Sequence, residues 1–197
     1  MIKKKFSLIF LILSFLLQSC VSELTYSIRE NNQITIGFTS TMPLIIYSLI
    51  TENISPGLPV NFSRANVMEK LEKVKGTLTF YKIEQKNDSG YLEITVQFAS
   101  PESAKQFLTS YGVTINYSVQ EKKFELHYAA LQAYISEEVS GFISLLIKPF
   151  SQTVRVTLPF RNLRAQNGTV SGNTATFTNT FLSLEEFFPR STYIITW

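Results

Sequence analysis

LTYSIRENNQITIGFT, residues 24–39, alternates apolar and polar residues on either side of a pair of asparagines. Leu24, Tyr26 and Ile28 interleave with Thr25, Ser27 and Arg29, and Ile34, Ile36 and Phe38 repeat the pattern. Residues two apart share one face of a strand, so each arm predicts a strand with one apolar face. Asn31-Asn32 predicts the tight turn that joins them. The chain thus opens on an antiparallel hairpin.

Working outward, two further hairpins are expected. TLTFYKIE and YLEITVQF flank KNDSG, whose Asp-Ser-Gly supplies turn chemistry, and VTINYSV and FELHYA flank the polar QEKK. Between them lie helical patterns. In SRANVMEKLEKVKG, residues 63–76, Ser63 can cap, Val67, Leu71 and Val74 share a face, Glu69 and Lys73 pair at i, i+4, and Gly76 can end the helix. In SPESAKQFLTSYG, Ser100 is the cap, Pro101 opens the first turn, Ala104, Phe107, Leu108 and Tyr111 form the apolar stripe, and Gly112 closes it. Leu131, Ile135, Val139, Phe142 and Leu146 predict a longer helix ended by Pro149. MPLIIYSLI, residues 42–50, reads as a short buried helix, with strand as its rival because isoleucine and tyrosine favour extended chain. QTVRVTLPF, short strands within NGTVSGNTATF, a helical turn in LSLEEFF and a last strand in TYIITW complete the series. The expected fold class is α+β, a curved antiparallel sheet of hairpins packed against several helices.

The first twenty residues speak to location. Lys3, Lys4 and Lys5 precede an apolar run from Phe6 to Leu17, which is too short for a comfortable membrane span of roughly 20 residues and has the anatomy of a signal peptide. Leu17-Gln18-Ser19-Cys20 follows, and Cys20 is the sole cysteine. A lone cysteine in an exported chain suggests a modified or reactive thiol rather than a disulfide. The pattern resembles a bacterial lipobox, with Gln18 in place of the usual small residue. That resemblance implies a lipoprotein signal peptide over 1–19, and one envelope domain over 20–197 tethered through lipidated Cys20. An ordinary cleaved signal with an incidental thiol and an uncleaved N-terminal helix are the alternatives.

The net charge of +3 resides in the leader: three of the 18 Lys and Arg lie there, leaving 15 against 15 Asp and Glu. A neutral domain offers no electrostatic case for nucleic acid. Convergent chemistry is equally sparse. His127 is the only histidine and falls on the polar side of FELHY, Asp88 is the only aspartate and sits in a turn, and no cysteine follows Cys20, so neither a catalytic triad nor a metal centre is expected. Glu137-Glu138 and Glu185-Glu186 are adjacent pairs, which do not face each other on a helix as glycosidase carboxylates must. GTVSGN reads as paired turns rather than a phosphate cradle. No cofactor and no enzymatic activity are expected.

Leu158-Pro159, followed by Gly168-Thr169-Val170-Ser171-Gly172-Asn173-Thr174 and the aromatic Phe177, resembles the LppM-type lipoprotein domain of bacterial envelopes, with phenylalanine where tryptophan is expected. The resemblance implies helices against a curved antiparallel sheet and an apolar cavity for lipid or glycolipid. No hydrophobic tail follows Trp197, so a second anchor is not expected. The leading functional expectation is a non-enzymatic, membrane-anchored lipoprotein of the cell envelope that binds or presents a lipid-like ligand. Hydrophobicity nominates Ile45, Ile46, Leu49, Ile135, Phe142 and Leu146 as cavity walls. The alternative is a protein-interaction module that assists assembly of an envelope complex.

Overall fold

The computed structural model describes residues 20–44, 47–48, 61–128, 150–181 and 191–197. The first hairpin forms from β1 (Cys20–Ile28) and β2 (Ile34–Pro43), in the register Leu24↔Phe38, Tyr26↔Ile36 and Ile28↔Ile34. Its loop is one residue longer than two asparagines require. The Arg29 amide donates to the Gln33 carbonyl at 3.0 Å, Asn32 takes a left-handed φ of 61°, and Asn31 Oδ1 accepts from the Gln33 amide at 3.1 Å. Asparagine tolerates that backbone because its short amide bonds locally.

The helix α1 (Arg64–Lys73) starts at Ser63, whose hydroxyl accepts from the Asn66 amide at 3.4 Å. Lys75, rather than Gly76, takes the left-handed position after it, with φ 55°. The Gly76 amide then donates to the Leu71 carbonyl at 2.9 Å and Lys75 to that of Glu72 at 3.2 Å, the Schellman pattern. Glycine is needed at 76 for space, since a Cβ there would lie 2.5 Å from Phe98 Cε1 and 2.6 Å from Leu71 Cδ2. Next come β3 (Thr77–Lys86) and β4 (Ser89–Phe98), paired in a second hairpin, then α2 (Pro101–Thr109), capped by Ser100 Oγ on the Ser103 amide at 3.2 Å. The third hairpin is β5 (Thr114–Ser118) with β6 (Lys123–His127).

The remaining strands are β7 (Phe150–Thr157), β8 (Arg164–Gln166), β9 (Thr169–Ser171), β10 (Thr174–Phe181) and β11 (Thr192–Thr196). They combine with the hairpins into two sheets, ordered β3-β4-β2-β1-β7-β10-β9 and β5-β6-β11-β8. Within the larger sheet β1 and β7 run parallel, Leu24 opposite Val154 and Tyr26 opposite Val156. One face of this sheet is buried over its central strands, carrying Leu24, Tyr26, Ile28, Leu92, Ile94, Val96, Val154 and Val156. Two kinds of partner share it. The smaller sheet covers β1, β7 and β10, with Tyr26 against Phe124 at 5.2 Å between ring centres and Phe177 against Tyr193 at 5.1 Å. The two helices cover β2, β3 and β4, where Phe98 meets Phe107 at 5.2 Å. Each such fully buried side chain contributes about 1.5–3 kcal/mol.

This architecture corrects the expected α+β class. Strands make up 57% of the described residues and helix 16%, and the sheets are two, one of them mixed rather than purely antiparallel. The physical reason is that the alternation outlasts the hairpins: Met42 and Pro43, expected to open a helix, still pair with Gly90 and Ser89 on β4. Helical backbone follows only at Leu44, Tyr47 and Ser48 among the described residues of that stretch. The expected helix from Leu131 to Leu146 and the turn in LSLEEFF lie outside the described residues, as do Glu137-Glu138 and Glu185-Glu186.

Candidate functional site

Where the two helices, the large sheet and the start of the small sheet come together, they leave an apolar cavity of about 160 Å³. Leu24, Ile36, Ile94 and Val96 form its floor on the large sheet. Val67 of α1 and Phe107 and Leu108 of α2 form the roof, and Val113 and Tyr128 close the side toward the small sheet. The last wall is a column of rings. Phe38 stacks on Phe62 with centres 4.9 Å apart and planes 17° apart, and Phe62 stacks on Tyr111 at 5.0 Å and 12°.

The sequence builds this column locally. Phe62 directly precedes the Ser63 cap and Val67 is the fourth helical residue, the placement of a hydrophobic staple that fixes how the chain enters α1. Tyr111 follows α2 at the end of its stripe, and Gly112, with φ 76°, turns the chain away behind it. The Lys70 ammonium sits 3.5 Å from the centre of the Tyr111 ring and donates to the Ser110 carbonyl at 2.8 Å. Burial against that ring pushes the amine down to about 8, with Glu69 opposing the shift and Lys73 adding to it.

The two tyrosines that line the cavity differ in their hydroxyls. That of Tyr128 bonds to Gln152. That of Tyr111 is buried and has no hydrogen-bond partner among the described residues, and burial pushes its ionisation above the ordinary phenol value. A buried hydroxyl without a partner costs about 1–3 kcal/mol. A dry cavity of about 150 Å³ holds one benzene-sized molecule. The site therefore suits a ring or the end of an alkyl chain, not a whole lipid.

Ile45, Ile46, Leu49, Ile135, Phe142 and Leu146, nominated as walls, all lie outside the described residues. Cys20 is described: it opens β1 opposite Phe150, half-buried, its sulfur 3.9 Å from the Ser40 hydroxyl. Burial pushes its thiol up, and the Ser40 contact partly offsets that. His127 lies on the outer side of β6, with Nδ1 3.1 Å from the Thr192 hydroxyl and Nε2 3.7 Å from Glu125. Among the described residues no three His, Cys, Asp or Glu side chains converge as metal ligands.

Neither a protein-family description nor a curated protein matches this chain. Among solved structures, yeast LTA4 hydrolase in complex with Bestatin overlaps 90% of this chain at a TM-score of 0.39 and 10% identity. The chain spans 28% of that protein's length, and a likeness this loose carries no argument about fold or activity.

Proposed function

We propose that this chain is a membrane-anchored bacterial lipoprotein of the cell envelope, non-enzymatic, that binds or presents a lipid-like hydrophobic ligand. The observation that carries the ligand half is the cavity of about 160 Å³, lined almost wholly by apolar and aromatic side chains. Its volume calls for a ligand that inserts a chain end or ring while its bulk remains outside. The tether rests on the leader, the lipobox-like Leu17-Gln18-Ser19-Cys20 and the resemblance to LppM-type domains. Two acyl chains on Cys20 would make membrane association effectively permanent. Because β1 begins at Cys20 itself, no spacer would separate the anchor from the sheet.

Feeding bacteria that express the full chain with an alkyne-tagged palmitate tests the tether. Label is expected in the chain's gel band and absent from Cys20→Ser, which should also leave the membrane fraction. An unlabelled parent chain, or label that survives Cys20→Ser, overturns the anchor.

A second reading, an interaction module assisting an envelope complex, has β3 in its favour. This strand ends the larger sheet among the described residues and exposes Phe80. The register shift between Leu78 and Phe80 works against it, because an irregular edge resists pairing with another strand.

A further inference from the structure

The end of the large sheet away from Cys20 carries a second concavity. Between the β1–β2 turn, the segment leaving β7 and the β9–β10 turn lies an open cleft of about 940 Å³. Along β1, its nearest lining residue, Ser27, stands about 23 Å from Cys20. Its lining differs in kind from the apolar cavity. Arg29, Arg161, Asn31, Asn162 and Asn173 are among the residues that line it, the Asn31 carboxamide oxygen being already bonded to the Gln33 amide. Glu30 is the one carboxylate lining it, so its charge remains positive. Arg29 donates to Gln33 Oε1 at 3.2 Å, and neither arginine is ion-paired among the described residues.

Phe160 is the aromatic element of the lining, and it is held in place. Its ring stacks on Trp197 with centres 4.3 Å apart and planes 9° apart, and Tyr117 flanks both rings at 6.5 and 6.0 Å. The Leu158 amide bonds to the Asn173 carbonyl at 3.0 Å, tying the segment that carries Phe160 to the β9–β10 turn. The lining thus combines one aromatic side chain braced by Trp197 with charged and polar residues.

We infer that this cleft binds a carboxylate-bearing sugar chain. Guanidiniums recognise carboxylates through paired, charge-assisted hydrogen bonds. Carboxamides both donate and accept, as sugar hydroxyls do. A fixed aromatic ring suits the apolar face of a pyranose. An extended peptide is the poorer fit, because the strands that contribute lining residues, β1 and β7, are paired on both edges, and the edge strand β9 beside the cleft is only three residues long. A lone phosphate would use the arginines and leave the asparagines and the ring without purpose. This inference is independent of the apolar cavity, which different residues line.

Calorimetric titration of the full chain with tetragalacturonate, with its neutral galactose counterpart and with inorganic phosphate tests it. Saturable binding of the tetragalacturonate is expected, at least tenfold tighter than the neutral tetramer. It should weaken at least tenfold in the Arg29→Gln/Arg161→Gln double variant and in Phe160→Leu. The first two substitutions are at exposed side chains, and matched thermal melting confirms the fold; if a variant fails to fold, the preference among the three probes decides. No binding, equal binding of the neutral tetramer, undiminished binding by the folded double variant, or phosphate binding as tightly as the tetramer would each overturn the inference.

Discussion

The Tyr193 hydroxyl donates to Gln152 Oε1 at 2.6 Å, joining β11 of the small sheet to β7 of the large one through a bond between two buried side chains. Asn179 Nδ2 adds a contact to the same hydroxyl at 3.4 Å, and Tyr128 reaches Gln152 from the end of β6. Apolar surfaces can slide past one another, but a buried amide must find its partners, so this network fixes how the two sheets face each other.

Tyr193→Phe should therefore lower stability by about 1–3 kcal/mol, since it leaves the Gln152 oxygen short of a donor without altering ring packing. Gln152→Leu should cost a similar amount, and the double variant less than the sum of the two, because both changes remove the same bond. Urea denaturation of the three variants checks this. Strict additivity would show that the bond does not couple the sheets.

Tyr111 should behave in the opposite way. Its hydroxyl has no partner among the described residues, so Tyr111→Phe is expected to leave stability unchanged or raise it by up to about 1 kcal/mol. Val67→Leu adds one methylene to the cavity and should be tolerated within about 1.5 kcal/mol because space for it exists. Val67→Leu should weaken uptake of a short-chain alcohol such as hexanol by filling volume, whereas Tyr111→Phe, which removes an occluded hydroxyl, should leave uptake unchanged. Chemical-shift titration of the wild type and both variants reads the effect.

Lys70 gives the protein an alkaline signature. Its folded-state value of about 8 lies below the roughly 10.4 of an unfolded chain. Between those values the unfolded state binds more protons, so stability should rise with pH from about 8 and show no such slope below it. The phenols of Tyr26, Tyr111 and Tyr128, raised by burial, act in the opposite sense above about 10. There the unfolded chain loses its tyrosine protons first and stability falls. In a Cys20→Ser background, which removes the thiol's titration, urea midpoints should climb from pH 8 and turn over above about 10. Lys70→Met should abolish the climb and keep the fall.

What the sequence disclosed was local. The alternation around Asn31-Asn32 marked the first hairpin, and Ser63 and Ser100 marked two helix starts, because strand period and capping depend on neighbours a few residues apart. The parallel pairing of Cys20–Ser27 with Phe150–Thr157 was hidden, since nothing local selects a partner strand so far along the chain. The same limit governed the site. The nominated walls, Ile45 and Phe142 among them, lie outside the described residues, and the described cavity draws on residues from many separate segments. A gap left by packing has no linear signature. The nearest local signal was Phe62 before the Ser63 cap with Val67 four positions after it, a staple that places a ring at the cavity wall.

Native mass spectrometry of the full chain, extracted from bacterial membranes in mild detergent, tests the central claim most directly. The account predicts a chain that begins at Cys20, bears a covalent diacylglycerol, and holds a non-covalent apolar molecule whose occupancy falls in Val67→Leu. A chain without lipid at Cys20, and without any bound molecule even after addition of envelope lipid extract, would contradict it.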